Sequence, residues 1–186
     1  MKIVIIHGAY GNPNENWFPW LKNELEKLGQ EVFVPKFPTP ENQTPENWCK
    51  VLQKDCPWEF GSDTILVGHS LGATYILNIL NRERAESVKA SFLVAGFTGD
   101  LGDPQFDNIN HDFTHQDFDW DLIARTAGKI TVIGGDNDPY VPKSEIENLA
   151  RNLRVEPIFI ENGGHLNAAA GYTEFPYLLN LIKEEL

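Results

Sequence analysis

The chain has 186 residues, 41% of them hydrophobic and 23% charged, enough for one sizeable core and unlike a disordered polypeptide. Its formal net charge is -12, and a surface that acidic repels phosphate backbones and anionic headgroups, so no nucleic-acid or membrane partner is expected. No apolar run reaches the length of a membrane span.

The first run, KIVIIH (2–7), is strand-length and lacks a small-residue cleavage site, so it predicts a strand rather than a secretion signal. Further strands are predicted at 31–35, 64–69, 90–96, 129–135 and 156–161. Most are rich in Val and Ile without polar alternation, the pattern of strands covered on both faces. Between them, helical periodicity covers 15–28, 45–55, 71–83, 119–127 and 143–153, with a last helix near 174–185. Gly29 suits a helix end, and TPEN (44–47) suits a helix start with proline in the first turn. Cys49 and Cys56 lie seven apart in the second helix, about 10 Å along its axis and beyond disulfide reach. Two reduced thiols and a cytoplasmic location are therefore expected.

Strands alternating with helices imply a three-layer α/β/α sandwich around a parallel sheet, as a single domain over residues 1–186. The longest stretch without periodicity, 97–118, is read as a loop, and loops of that length are usually functional. It leaves the fourth strand at the edge of the sheet where reactive groups collect. Phe113, Phe118 and Trp120, set among aspartates, are expected to roof the site there.

Gly68-His69-Ser70-Leu71-Gly72 satisfies G-x-S-x-G between a strand and a helix. In such an elbow the serine sits at a strained corner, and the glycines let neighbouring backbone approach. The five-residue match alone is weak and also fits a simple turn. The flanking strand and helix favour Ser70 as a nucleophile. A serine hydroxyl needs a base to take its proton and an acid to orient that base. In elbows of this kind the partners follow in the order Ser, Asp or Glu, then His. GGDNDPYVP (134–142) follows the fifth strand, and of the five histidines only His165 comes later. Asp136 and Asp138 both sit in that loop; Asp138, braced by Pro139, is favoured. The oxyanion donors are expected to be the backbone N–H of Leu71, at a helix N-terminus, and of Ala9, in HGAYG (7–11). His7 is expected to support that loop, and His69 to pack beside the turn. Trp17 and Phe18 are expected as helix packing, with one of them at the edge of the pocket.

The elbow GHSLG, the acid loop and the terminal GGH look like the α/β-hydrolase superfamily. ENWFPWLKNEL (15–25), VAGFTGDLGD (94–103) and FTHQDFDW (113–120) narrow the likeness. Together they resemble the retinoblastoma-binding protein 9 family of compact serine hydrolases, over nearly the whole chain. The resemblance implies a minimal α/β-hydrolase fold with a six-stranded parallel sheet of order 2-1-3-4-5-6. It also maps nucleophile, acid and base onto Ser70, Asp138 and His165. One feature departs: the leucine-x-cysteine-x-glutamate motif that gives the animal protein its name is absent, since Asn47 and Lys54 stand two residues before the cysteines. No pocket-protein binding is expected.

HDFTH (111–115) spaces two histidines like the zinc helix H-E-x-x-H, but with Asp for Glu and in a stretch that reads as poor helix, so no zinc site is expected. GGDNDP lacks the twelfth-position carboxylate of a calcium loop. No nucleotide-binding glycine motif occurs, and no metal or organic cofactor is expected. The combined expectation is a serine hydrolase that cleaves a small ester, amide or thioester through an acyl-enzyme. The alternatives are an acyltransferase using the same three residues, or a catalytically silent binding protein of the same fold.

Overall fold

The six apolar runs pair as parallel strands in the computed structural model, which describes residues 1–82 and 86–186. They are β1 (Lys2–Ile6), β2 (Glu31–Phe33), β3 (Thr64–His69), β4 (Ala90–Val94), β5 (Lys129–Gly135) and β6 (Ile158–Ile160). The order across the sheet is β2-β1-β3-β4-β5-β6, as the resemblance implies. Ile6 pairs with Gly68, and His69 with Val94, which brings the C-terminal ends of β1, β3 and β4 side by side.

Helices α1 (Phe18–Lys27), α2 (Pro45–Asp55), α3 (Leu71–Leu80), α4 (Pro104–Thr114), α5 (Trp120–Thr126), α6 (Lys143–Leu153) and α7 (Pro176–Lys183) complete the three layers. Successive strand residues point to opposite faces, and both faces are covered. Val4, Ile6, Leu66 and Val132 pack under Trp48 and Leu52 of α2, the apolar residues of α3, and Ile146 and Leu149 of α6. Ile3, Ile5, Ile65, Val67 and Phe92 pack under Phe18, Leu21 and Leu25 of α1 and Leu178 and Ile182 of α7. Burial on both sides explains why the strands read as unbroken apolar runs.

Element ends differ from expectation for local reasons. β2 stops before Pro35, which has no N–H for the ladder, and β6 starts just after Pro157. β4 stops at Val94 because Ala95 turns to φ 50°. α3 is described to Leu80, with Asn81 as its C-cap; residue 83, the expected end, lies outside the described residues.

The larger correction concerns 97–118. It is not one loop: α4 occupies its middle. The Asp103 carboxylate accepts from the N–H groups of Gln105 and Phe106, and a proline stands in the first turn. These are ordinary helix-start signals, masked in the sequence by the surrounding Asp, Asn and Gly. Among the described residues no helix is long and apolar enough to cross a membrane. Cys49 and Cys56 are both free.

Candidate active site

Ser70 stands at the corner between β3 and α3 with φ 55° and ψ -125°, a conformation non-glycine residues adopt only at a cost of about 1–3 kcal/mol. The surroundings hold it there. Its N–H donates to Val94 O (2.8 Å). A Cβ on Gly72 would overlap the carbonyl oxygen of Ile6, and one on Gly68 would lie 2.6 Å from the Ala73 backbone. Only glycine lets β1 and the start of α3 come this close to the corner, so the G-x-S-x-G spacing is a steric requirement here.

The acid loop and the base loop are fastened side chain by side chain. Asp136 Oδ1 accepts from Asn162 N (2.8 Å), and Asn137 Oδ1 from Gly164 N (2.7 Å). His165 Nδ1 donates to Asp138 Oδ2 at 2.7 Å. The other oxygen, Asp138 Oδ1, accepts from Tyr140 N (2.9 Å) and Val141 N (3.1 Å). The carboxylate is 1% exposed, so these bonds replace the water it has lost. Of the two aspartates, Asp138 meets the imidazole and Asp136 holds the backbone that carries it.

The base loop is anchored from behind as well. His69 Nε2 meets the His165 carbonyl at 2.9 Å, and Trp17 Nε1 donates to Leu166 O at 2.9 Å. His69 lies buried against the Trp17 and Phe18 rings. Burial first, then the neighbouring His165 charge, lowers its pKa to about 3. It is therefore neutral, with the proton on Nε2 given to the carbonyl. Trp17 and Phe18 are both fully buried, so the expectation that one of them edges the pocket is not met. The buried His7 supports its own loop, as expected. Its Nε2 accepts from Phe37 N (3.0 Å), which leaves the proton on Nδ1, 2.8 Å from Gly8 O. Burial lowers its pKa too.

Ser70 and His165 line one cavity of about 240 Å³, together with Ala9, Tyr10, Phe97, Leu101, Phe106, Asn110, Tyr140, Val141 and Asn167. Among the described residues no hydrogen bond joins Ser70 to His165, and such bonds often tighten only around substrate. A larger concavity, about 650 Å³, lies between α2 and the end of α3. None of Ser70, Asp138 and His165 lines it, and chemistry rather than size selects the smaller one.

The roof of the cavity comes from α4 and the residues before it, but not through the rings expected. Phe106, Asn110 and Leu101 face the cavity. Phe113 is fully buried against Trp48 and Tyr75. Phe118 and Trp120 pack on each other and line a separate, polar depression. Three aromatic rings meet over the mouth. Tyr10 packs edge-on against Phe106 (5.9 Å), Phe106 lies 6.1 Å from Tyr140, and Tyr140 lies 5.1 Å from the His165 ring. Sequence reasoning missed Tyr10, Phe106, Asn110 and Tyr140. Their one available signal was adjacency to the expected loops.

His111 lies in the last turn of α4, against the reading of that stretch as poor helix, and His115 is the residue that caps it. Their rings stack 4.1 Å apart at 9°, and parallel rings do not converge their nitrogens on one point. Among the described residues no group of three or more His, Cys, Asp and Glu is placed to hold a metal ion.

A parallel sheet in this order, with a strained serine where β3 enters α3 and a His–Asp pair at later strand ends, is an α/β-hydrolase architecture. The crystal structure of the ydeN gene product of Bacillus subtilis superposes with a TM-score of 0.87 at 28% identity, over 99% of this chain and 97% of that one. Est1E of Butyrivibrio proteoclasticus, in its structure with ferulic acid bound, shares the fold at a TM-score of 0.69 and 17% identity, over 98% and 85%. In sequence, YdeN of Bacillus subtilis (strain 168) is 29% identical over 97% of this chain and 94% of its own length. The rat serine hydrolase RBBP9 is 25% identical over 100% and 95%. A family model described as serine hydrolase matches residues 3–184, nearly end to end. The chain belongs to the serine hydrolase family, and it is an enzyme of that class.

Proposed function

We propose that this enzyme, acting as one domain over residues 1–186, cleaves a small carboxylic ester, amide or thioester through an acyl-enzyme on Ser70. The observation that carries the reading is the 2.7 Å His165–Asp138 bond beside a cavity that Ser70 also lines. Ser70 Oγ attacks the substrate carbonyl carbon while its proton passes to His165 Nε2. Asp138 accepts from the opposite ring nitrogen, which keeps Nε2 free to take the proton and stabilises the cation that forms. Collapse of the tetrahedral intermediate expels the leaving group, which takes the proton from His165. Water then repeats the attack on the acyl-enzyme and returns Ser70 to its starting state.

The oxyanion is held by backbone N–H groups of Leu71 and Ala9. Leu71 opens α3, where the first amides of a helix have no partner within it. In the other loop Tyr10 N donates to Thr39 Oγ1, Gly11 N to Gly8 O and Asn12 N to Glu15 Oε1. With those amides committed, Ala9 is the donor left beside the cavity. Two such donors are worth roughly 3–4 kcal/mol each to the barrier. The free Cys49 and Cys56 support a cytoplasmic setting.

A fluorophosphonate probe tests the reading. Mass spectrometry should place the label on Ser70, and Ser70→Ala should lose both label and hydrolysis while remaining folded. Label on another residue, or an active Ser70→Ala protein, removes the nucleophile assignment.

A further inference from the structure

The cavity is small, about eight times the share of one water molecule in the liquid. Its lining holds no Asp, Glu, Lys or Arg. A charged acyl group would find no Asp, Glu, Lys or Arg side chain there to pair with. Of the polar side chains that line it, Asn110 is the most deeply buried, 2% exposed, on the inner face of α4.

The orientation of Asn110 follows from a chain of hydrogen bonds whose two ends are unambiguous. Tyr10 N–H can only donate, and it donates to Thr39 Oγ1 (2.7 Å). The Thr39 hydroxyl keeps its proton to give onward, to Gln43 Oε1. The amino end of Gln43 lies on the other side, fixed there because it donates to Ile109 O (2.8 Å), a backbone carbonyl that can only accept. Its second proton goes to Asn110 Oδ1 (3.0 Å). With its oxygen occupied by Gln43, which is itself 6% exposed, Asn110 has its NH₂ group left for the cavity it lines. The Nδ2 atom is also not among the fully enclosed side-chain atoms that lack a partner.

Resting on the reading of Ser70 as nucleophile, we propose that Asn110 is a specificity-determining hydrogen-bond donor. The substrate is then an uncharged ester or amide whose small acyl group carries an oxygen acceptor, such as an ether, keto or hydroxyl oxygen, to meet Asn110 Nδ2. Gln43 is a positioning residue that presents the donor rather than the acceptor end of that amide. Ligand pockets take orientation and selectivity from a small number of fixed polar groups, and Asn110 is held in place by a buried hydrogen-bond chain. The same chain ties the oxyanion loop, through Tyr10 N, to the roof helix.

Matched p-nitrophenyl esters in which one methylene is exchanged for oxygen test this. The pairs are butyrate and methoxyacetate, pentanoate and 3-methoxypropionate, and hexanoate and 4-methoxybutanoate. Each kcat/KM is divided by the ester's own rate with hydroxide, which removes intrinsic reactivity. The native enzyme should favour the oxygen member of at least one pair by about tenfold, the scale of one hydrogen bond. In Asn110→Leu that preference should fall to about twofold or less. Gln43→Glu provides a second reading should the leucine variant not fold. A carboxylate there draws the Asn110 amino group towards itself, and the oxygen preference should be lost. No pair above about twofold in the native enzyme overturns the proposal, as does a preference that persists in the variants. Failure to cleave any of the six esters by a protein whose Ser70 takes the probe overturns it as well. A protein whose Ser70 takes no probe instead breaks the underlying reading, so the two failures are distinguishable.

Discussion

The elbow at residues 68–72 and the roof helix α4 meet over the same cavity, yet they are held by opposite means. The elbow is fixed by backbone against backbone: Gly72 against Ile6, Gly68 against Ala73, Ser70 N–H against Val94 O. α4 is fixed by side chains. Phe113 enters the core, Asn78 Nδ2 donates to Phe113 O (3.1 Å), Gln43 reaches Ile109 and Asn110, and Gln105 Nε2 donates to the Tyr10 hydroxyl (2.8 Å). A backbone clash cannot be relieved one contact at a time, whereas side chains can be exchanged singly. The proposed nucleophile is thus built into a region that tolerates little change, and the shape of the pocket into one that does.

The largest effects should fall on the chemical side of that divide. Asp138→Asn changes the proton pattern at His165 Nδ1 and should lower kcat by about 10⁴. Asp136→Asn keeps an oxygen for Asn162 N–H and should cost about tenfold or less. Steady-state rates of the two variants settle the order, and a reversed ranking would move the acid to Asp136. Next, Gly72→Ala should destabilise the fold by roughly 4 kcal/mol or more, because backbone rather than a flexible side chain must shift. A soluble, cooperatively melting alanine variant would show that the elbow yields more easily than its contacts imply.

Within the roof the divide can be drawn again, between its inward and its site-facing ring. Phe113→Ala should cost about 3–5 kcal/mol of stability in urea melts by emptying a fully buried site. Phe106→Ala should leave the midpoint almost unmoved and shift the ranking among acyl chain lengths by about 1–3 kcal/mol. If Phe113→Ala alters chain-length preference and Phe106→Ala does not, the two faces of α4 have been assigned the wrong way round.

This contrast also explains what was legible in the sequence. The elbow was readable because sterics force glycine at both flanks of the serine, and the strand and helix around it carry strong periodicity. Chain order placed His165 and the acid loop, since a parallel sheet brings successive strand ends to one edge. The roof was not readable. Its helix begins at Asp103-Pro104, a sufficient start signal, but the Asp- and Asn-rich composition around it resembles a loop. Nothing in the order of residues distinguishes Phe106, which faces the cavity, from Phe113, which faces the core. That choice is made by where α4 docks on α2 and α3. The role of Asn110 was further out of reach, because it depends on a hydrogen-bond chain through residues 10, 39 and 43.

The smallest effect concerns the other residue of the elbow, His69, and the base loop it holds. Its ring is enclosed by Trp17 and Phe18 at the start of α1 and by His165, and its N–H is given to the His165 carbonyl. Burial, with the like charge of His165, keeps its folded pKa near 3, outweighing the carbonyl bond and the Asp138 charge, which act the other way. In the unfolded chain it takes up a proton near pH 6.5. The unfolded state therefore binds more protons between those values, and the stability owed to a neutral His69 is complete above pH 6.5 and lost progressively towards pH 3. From pH 7 to pH 5 this one group should lower the unfolding free energy by about 2 kcal/mol. His7, also lowered by burial, acts in the same direction. Urea melts of the native protein and of His69→Gln at both pH values isolate the contribution, since every other titrating group is common to the two. The glutamine variant should be less stable at pH 7 but should lose about 2 kcal/mol less on going to pH 5. Equal losses in the two proteins would mean that His69 takes up its proton in the folded state over the same pH range as in the unfolded chain. The ring would then be charged at pH 5 while still against the His165 carbonyl, and its contribution to the anchoring of the base loop would be independent of pH over that range.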